Sequence, residues 1–197
     1  MNCNADKKTT EITEDMIYAC FAAAETLKDT RASAESFLDV EEYENRVMYP
    51  EFARWAKKAG YPHLSQLFMK VAGEEKEHAV WLRALYTEIG TPTSNMDVTR
   101  ATEALAEIKA NCDRLIGLNP NGVVEKALRV ALKVEQREYK EIYPRLRDQA
   151  TAEGNHQAAE VYQRVIDSEG QHAQWFEAAI AEFTQLKSQE PTENVRA

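Results

Sequence analysis

The chain has 197 residues, 44% of them hydrophobic, and a formal net charge of −9, which leaves room for one domain with a proper core or at most two small ones. The acidic balance argues against a nucleic-acid binder, which normally shows a basic stripe, and no apolar run reaches the roughly 18 residues of a membrane span. Three distant cysteines (Cys3, Cys20, Cys112) without a CxxC pair, and a polar N-terminus without a leader pattern, point to the cytoplasm or another reducing intracellular compartment.

With only 7 Gly and 6 Pro, the composition favours helices. Residues 1–12 read as a flexible N-terminus, followed by a short helix from Thr13 to about Leu27. A long helix then runs from about Thr30 to Lys58 and ends at Ala59-Gly60-Tyr61-Pro62. The next spans about His63 to Ile89 and stops at Gly90, before Thr91-Pro92-Thr93-Ser94-Asn95. A crossover helix from about Val98 to Ile116 leads into the turn Leu118-Asn119-Pro120-Asn121-Gly122. The third long helix covers Val123 to Ala152 and the fourth His156 to Lys187, with a polar tail over 188–197. Short links within pairs and a long link between them fit an all-α fold, a ferritin-like four-helix bundle of two antiparallel hairpins with a long crossover connection and an extra N-terminal helix. The bundle takes residues 13–187, with repeat halves at about 30–89 and 123–187 and the crossover over 90–122.

An offset of 94 residues superimposes the two hairpins without a gap. It carries Leu38 onto Leu132, Glu41 onto Glu135, Glu44 onto Glu138 and Tyr49-Pro50 onto Tyr143-Pro144. Further on it carries Gly60 onto Gly154, Glu75 onto Glu169, His78-Ala79 onto His172-Ala173 and Trp81 onto Trp175. Identity is concentrated in Glu, His, Tyr, Pro and Trp, whereas a repeat kept for packing would match in Leu and Ala. This is the pattern of a doubled chemical site.

In each half the first helix carries Glu-x-x-Glu and the second Glu-x-x-His. Residues three apart share a helical face, so Glu75 projects with His78 and Glu169 with His172. At 1.5 Å per residue the arms from Glu41 to Gly60 and back to Glu75 are each roughly 20–30 Å long, so all four motifs meet at one level. Glu41, Glu44, Glu75, His78, Glu135, Glu138, Glu169 and His172 are therefore the candidate metal ligands, a carboxylate and imidazole set that suits two iron ions or manganese. Six buried carboxylates need that charge: two divalent ions leave the site at about −2 and two trivalent ions at about zero. Pro50 and Pro144 lie inside helical patterns, where each removes a ladder hydrogen bond and predicts a π-bulge or kink. Tyr49 and Tyr143 just before them are placed to orient ligand carboxylates.

A lone Glu-x-x-His is usually a solvated face, but two of them, each matched to Glu-x-x-Glu and Tyr-Pro, are not. Glu42, Glu74 and Glu77 have no acidic counterpart in the repeat and read as solvated. His63 and His156 read as polar surface, and Trp81 and Trp175 as core packing.

At Phe52-Ala53-Arg54-Trp55-Ala56-Lys57-Lys58-Ala59-Gly60-Tyr61-Pro62, Ala72-Gly73-Glu74-Glu75-Lys76-Glu77-His78-Ala79 and Glu135-x-x-Glu138-x-x-x-x-Tyr143-Pro144, the chain resembles the rubrerythrin branch of the ferritin-like superfamily. The resemblance covers about Ser36 to Phe176. No rubredoxin-like CxxC pairs accompany it, and Glu44 adds a ligand that ordinary rubrerythrins have on one side only, a symmetric set most like that of the symerythrins. The resemblance implies a non-haem diiron site that reduces hydrogen peroxide. It casts Glu138 as a ligand that switches with redox state opposite His78, Glu44 as its counterpart opposite His172, and Tyr49 and Tyr143 as partners of the ligand carboxylates.

The partners to expect are hydrogen peroxide or O2, an external electron donor (rubredoxin, ferredoxin or flavoprotein) and, at most, a second copy of the chain. Neither nucleic acid nor a membrane is expected. The alternatives are an O2-activating oxidase or oxygenase of the same fold, an iron-binding or storage protein, and a metal-free structural bundle.

Overall fold

The computed structural model describes residues 37–38, 40–89, 114 and 116–189. The stretch 1–12 expected to be flexible, the helix expected over Thr13–Leu27, nearly all of the expected crossover helix and the last part of the expected polar tail lie outside the described residues. Among the described residues there is no strand, as the composition requires.

The first long helix is helical through residues 40–43, passes through a π-helical turn at Glu44–Met48, and continues as α1, Tyr49–Lys58. Its partner is α2, Pro62–Ile89. The second hairpin repeats the plan: α3, Pro120–Arg137, a π turn at Glu138–Ile142, then α4, Tyr143–Ala152, and the long α5, His156–Gln189. α1 packs along α2, and α3 and α4 pack along α5. The halves meet where α2 touches α5 and α1 touches α3.

Both hairpin turns are built alike. Gly60 and Gly154 adopt φ of 90° and 74°, a conformation that side chains with a Cβ rarely take. In each, the glycine N–H and the next N–H reach back into the helix: Gly60 to Lys57 and Tyr61 to Ala56, Gly154 to Thr151 and Asn155 to Ala150. That pair of bonds satisfies carbonyls the helix end would leave orphaned.

The third long helix begins three residues earlier than expected, at Pro120 rather than Val123. Pro at the first helical position gives up an N–H that has no helical partner anyway, and the Asn119 Oδ1 accepts the Gly122 N–H at 3.0 Å. A sequence that reads as a turn is thus a capped helix start. At the other end α5 runs on through Ser188 to Gln189, past the expected Lys187.

Both expected distortions before Pro50 and Pro144 are present as π turns. The Tyr49 N–H bonds the Glu44 carbonyl and the Tyr143 N–H bonds the Glu138 carbonyl, five residues back in each case. Proline cannot donate the α-type bond one residue later, so nothing pulls the turn back to α geometry.

The core is a continuous apolar cluster from all four long helices. Tyr49 stacks against Phe176 at 5.9 Å and Phe68 at 6.3 Å, and Tyr143 packs against Phe37 and Tyr162. No helix among the described residues is long and apolar enough to cross a membrane.

Candidate metal centre

At the middle of this apolar core lie Glu41, Glu44, Glu75, His78, Glu135, Glu138, Glu169 and His172, each with no exposed surface. Burying six carboxylates in such a place is costly unless something positive holds them. The helices bring them there by simple spacing: α2 presents Glu75 and His78 one turn apart, α5 presents Glu169 and His172 likewise, and the helices across from them supply two Glu each.

The oxygens converge on the two imidazoles. His78 Nδ1 lies 2.8 Å from Glu75 Oε2, 2.8 Å from Glu169 Oε1 and 3.2 Å from Glu41 Oε2. His172 Nδ1 lies 2.9 Å from Glu169 Oε2, 3.1 Å from Glu75 Oε1 and 3.1 Å from Glu135 Oε2. The two rings are 5.7 Å apart and nearly parallel. One N–H cannot serve three carboxylates, so each cluster has more acceptors than its donor can satisfy.

Two four-residue groups have ligand atoms all within 4.8 Å of one another: Glu41, Glu75, His78 and Glu169, and Glu75, Glu135, Glu169 and His172. Glu75 and Glu169 belong to both. Glu44 and Glu138 stand outside these groups, yet neither oxygen of either residue has a hydrogen-bond partner. Orphaned carboxylate oxygens beside surplus acceptors fit a pair of metal ions, and the donor chemistry, all oxygen and imidazole without thiolate, suits iron, manganese or zinc.

The two tyrosines anchor the outer carboxylates, and they do so across the repeat. Tyr49 Oη donates to Glu135 Oε1, and Tyr143 Oη donates to Glu41 Oε1. Each hydroxyl thus leaves the other oxygen, Glu135 Oε2 or Glu41 Oε2, turned toward its histidine.

Electrostatics divides the site. Burial pushes Glu41 up to about 8 and holds Glu44, Glu135 and Glu138 well above the usual carboxylate range. Burial also works to raise Glu75 and Glu169, but His78 and His172 beside them bring both below the ordinary value. For the imidazoles burial acts downward, and the adjoining carboxylates outweigh it and raise both histidines. Burial, then the neighbouring carboxylates, raises Tyr49 and Tyr143, which keeps them protonated as donors.

Two acids expected to be solvated are not. Glu42 is 8% exposed and paired with Arg46 and Arg83, because Arg83 on α2 lies directly across from it. Glu74 is half-buried, and its Oε2 lies 3.0 Å from His172 Nε2, the nitrogen that faces away from the carboxylate cluster. The only sequence signal for Glu74 was its place one turn before His78. Glu77 is exposed, as are His63 and His156. Trp81 and Trp175 are half-buried rather than in the core, each ring resting against its histidine at 5.2 and 5.4 Å. On the outside Arg164 covers Trp81 and Lys70 covers Trp175.

Comparison with known proteins gives the family and the fold. A family model described as Rubrerythrin matches residues 39–180 and, a second time, residues 126–196. Symerythrin of Cyanophora paradoxa is 31% identical over 166 residues, which cover 84% of this chain and 91% of that protein. The rubrerythrin of Porphyromonas gingivalis is 28% identical over 157 residues, 78% of this chain and 68% of that one. Among solved structures, that of the Cyanophora paradoxa symerythrin, reduced with dithionite, superimposes with a TM-score of 0.70 at 31% identity, covering 79% of this chain and 86% of that chain.

Proposed function

This chain belongs to the rubrerythrin family, and on that premise we propose that it reduces hydrogen peroxide at a two-iron centre. Glu41, Glu44, Glu75, His78, Glu135, Glu138, Glu169 and His172 would hold that centre. The observation that carries the reading is the sharing of Glu75 and Glu169 between two ligand groups, the arrangement that sets two ions side by side.

Glu41, Glu75, Glu169 and His78 would hold one ion, and Glu75, Glu135, Glu169 and His172 the other. When bound, iron supplies the two electrons that, with two protons, turn one peroxide into two waters. Tyr143 and Tyr49 keep Glu41 and Glu135 from rotating by holding one oxygen of each. Glu44 and Glu138 have room to act in two ways: their unpartnered oxygens can take a metal ion, and burial favours their protonated form. They are the proton carriers for the oxygens that leave as water. The stacked rings of Tyr49, Phe68 and Phe176 close the site against bulk water on one side. Electrons would come from a rubredoxin, ferredoxin or flavoprotein.

Stopped-flow oxidation of the anaerobically iron-loaded protein tests this, with hydrogen peroxide and O2 mixed in separately. Peroxide is expected to oxidise the centre at least about tenfold faster, a barrier difference of about 1.4 kcal/mol. Equal or faster oxidation by O2 would replace the peroxidase reading with an oxidase or oxygenase.

A further inference from the structure

The repeat is symmetric in its eight ligands and asymmetric just behind them. The 94-residue offset carries Glu74 onto Ser168, so one half has a carboxylate where the other has a hydroxyl. Glu74 Oε2 lies 3.0 Å from His172 Nε2, and Ser168 Oγ lies 3.5 Å from the same nitrogen. His78 Nε2, the matching atom of the other half, is buried and has no hydrogen-bond partner. Glu74 is itself steadied by Lys70, whose Nζ is 3.9 Å from Glu74 Oε1 and lies over the Trp175 ring. That ring in turn packs against His172. Lys70, Glu74, His172 and Trp175 thus form a closed ring of contacts between α2 and α5.

We propose that Glu74 is a positioning residue that makes the two metal positions unequal, with the ion held by Glu135 and His172 bound more tightly than the ion held by Glu41 and His78. The inference rests on the two-metal reading above. A ligand histidine whose outer N–H is held by a carboxylate has its tautomer and ring orientation fixed, and its inner nitrogen donates more strongly to the metal. His172 has that support and His78 lacks it. The Ser168 hydroxyl lies 3.5 Å from His172 Nε2 and leaves His78 Nε2 without a partner.

The test loads the full chain with Zn2+, adds excess chelator and follows release of the metal. The unaltered protein is expected to lose its two ions in two phases. Glu74→Ser, which makes the halves alike, should speed the slow phase about 10–100-fold and leave the fast one in place. Glu74→Gln, whose amide oxygen still accepts from Nε2–H, should keep most of the slow phase. Ser168→Glu, which by the repeat sets a carboxylate toward His78 as Glu74 is set toward His172, should slow the fast phase.

Long-range proton–nitrogen spectra of the Zn2+-loaded protein give an independent readout. An exchange-protected proton is expected on His172 Nε2 and should lose its protection in Glu74→Ser. The proposal fails if Glu74→Ser changes neither phase, or speeds both alike because Glu74 serves both histidines. Two ions leaving the unaltered protein in one phase would sink it while sparing the two-metal reading. Uptake of fewer than two ions would overturn both.

Discussion

Each tyrosine hydroxyl near the centre does one definable thing: it holds one oxygen of a buried glutamate and so frees the other. Tyr49→Phe removes the donor to Glu135 Oε1 and leaves a buried acceptor without a partner. That loss costs about 1–3 kcal/mol, which for a chain of this size lowers the melting temperature by about 2–12 °C. Tyr143→Phe should act the same way through Glu41. The two variants share one cluster, so the double variant should depart from the sum of the singles. Calorimetry on the four proteins checks this, and unchanged melting in both singles would show that the hydroxyls bear no load.

These side chains were legible in the sequence because they repeat. Glu, His, Tyr and Pro at matching places in two halves stand out against helix formers that differ. What the repeat could not show is which half each tyrosine serves. Tyr49 meets Glu135, 86 residues away, and not the Glu41 of its own helix. Nor could it show residues that matter because they do not repeat. Glu74 and Glu42 lack acidic counterparts in the repeat, yet they have partners on other helices, 98 and 41 residues distant. Such contacts depend on how two helices are rotated against each other.

At the level of the helix, the π turns decide which way the candidate ligands face. In an unbroken α-helix Glu41 and Tyr49 would differ by about 80° in azimuth, while one residue absorbed by a π turn reduces this to about 20°. Both side chains then point into the centre, as observed. Deleting the half-buried Asn45 from the π turn should let an ordinary α turn form with the flanking faces unchanged, and the variant should still melt cooperatively. Deleting Gly73 from the regular α2 should rotate Glu75 and His78 by about 100° relative to Phe68 and Val71, and cooperative melting should be lost. Circular dichroism melts compare the two, and equal tolerance of both deletions would contradict this account. The proline signal made these turns readable in advance. The start of α3 was not, because Asn-Pro-Asn-Gly composes a turn and a capped helix start equally well, and the choice lies in the Asn119 side chain.

Across the whole molecule, the buried charges set how stability depends on pH. Glu41 titrates at about 8 in the fold against an ordinary 4.5, so between those values the folded chain holds more protons than the unfolded one, and stability falls as pH rises. The raised histidines act in the same direction: their contribution is complete below about 6.5 and is lost as pH rises toward their folded values. Glu75 and Glu169, being lowered, stabilise above 4.5 and lose that contribution as pH falls below it. Metal-stripped protein should therefore be most stable near about pH 5 and melt at lower temperature by pH 8. Metal-loaded protein should show the opposite trend, because binding displaces those protons. A metal-stripped melting temperature that climbs toward pH 8 would contradict the charge distribution described here.

The crossing of the tyrosines binds the two halves of the chain in their histories as well as in space. A change at Glu41 would be felt at Tyr143, 102 residues downstream, and a change at Glu135 would be felt at Tyr49. Descent from one doubled hairpin would leave neither copy at liberty to drift alone at these places, since each keeps the other's carboxylate in order. Behind the histidines no such tether exists, and there the copies have parted company, glutamate in one and serine in the other.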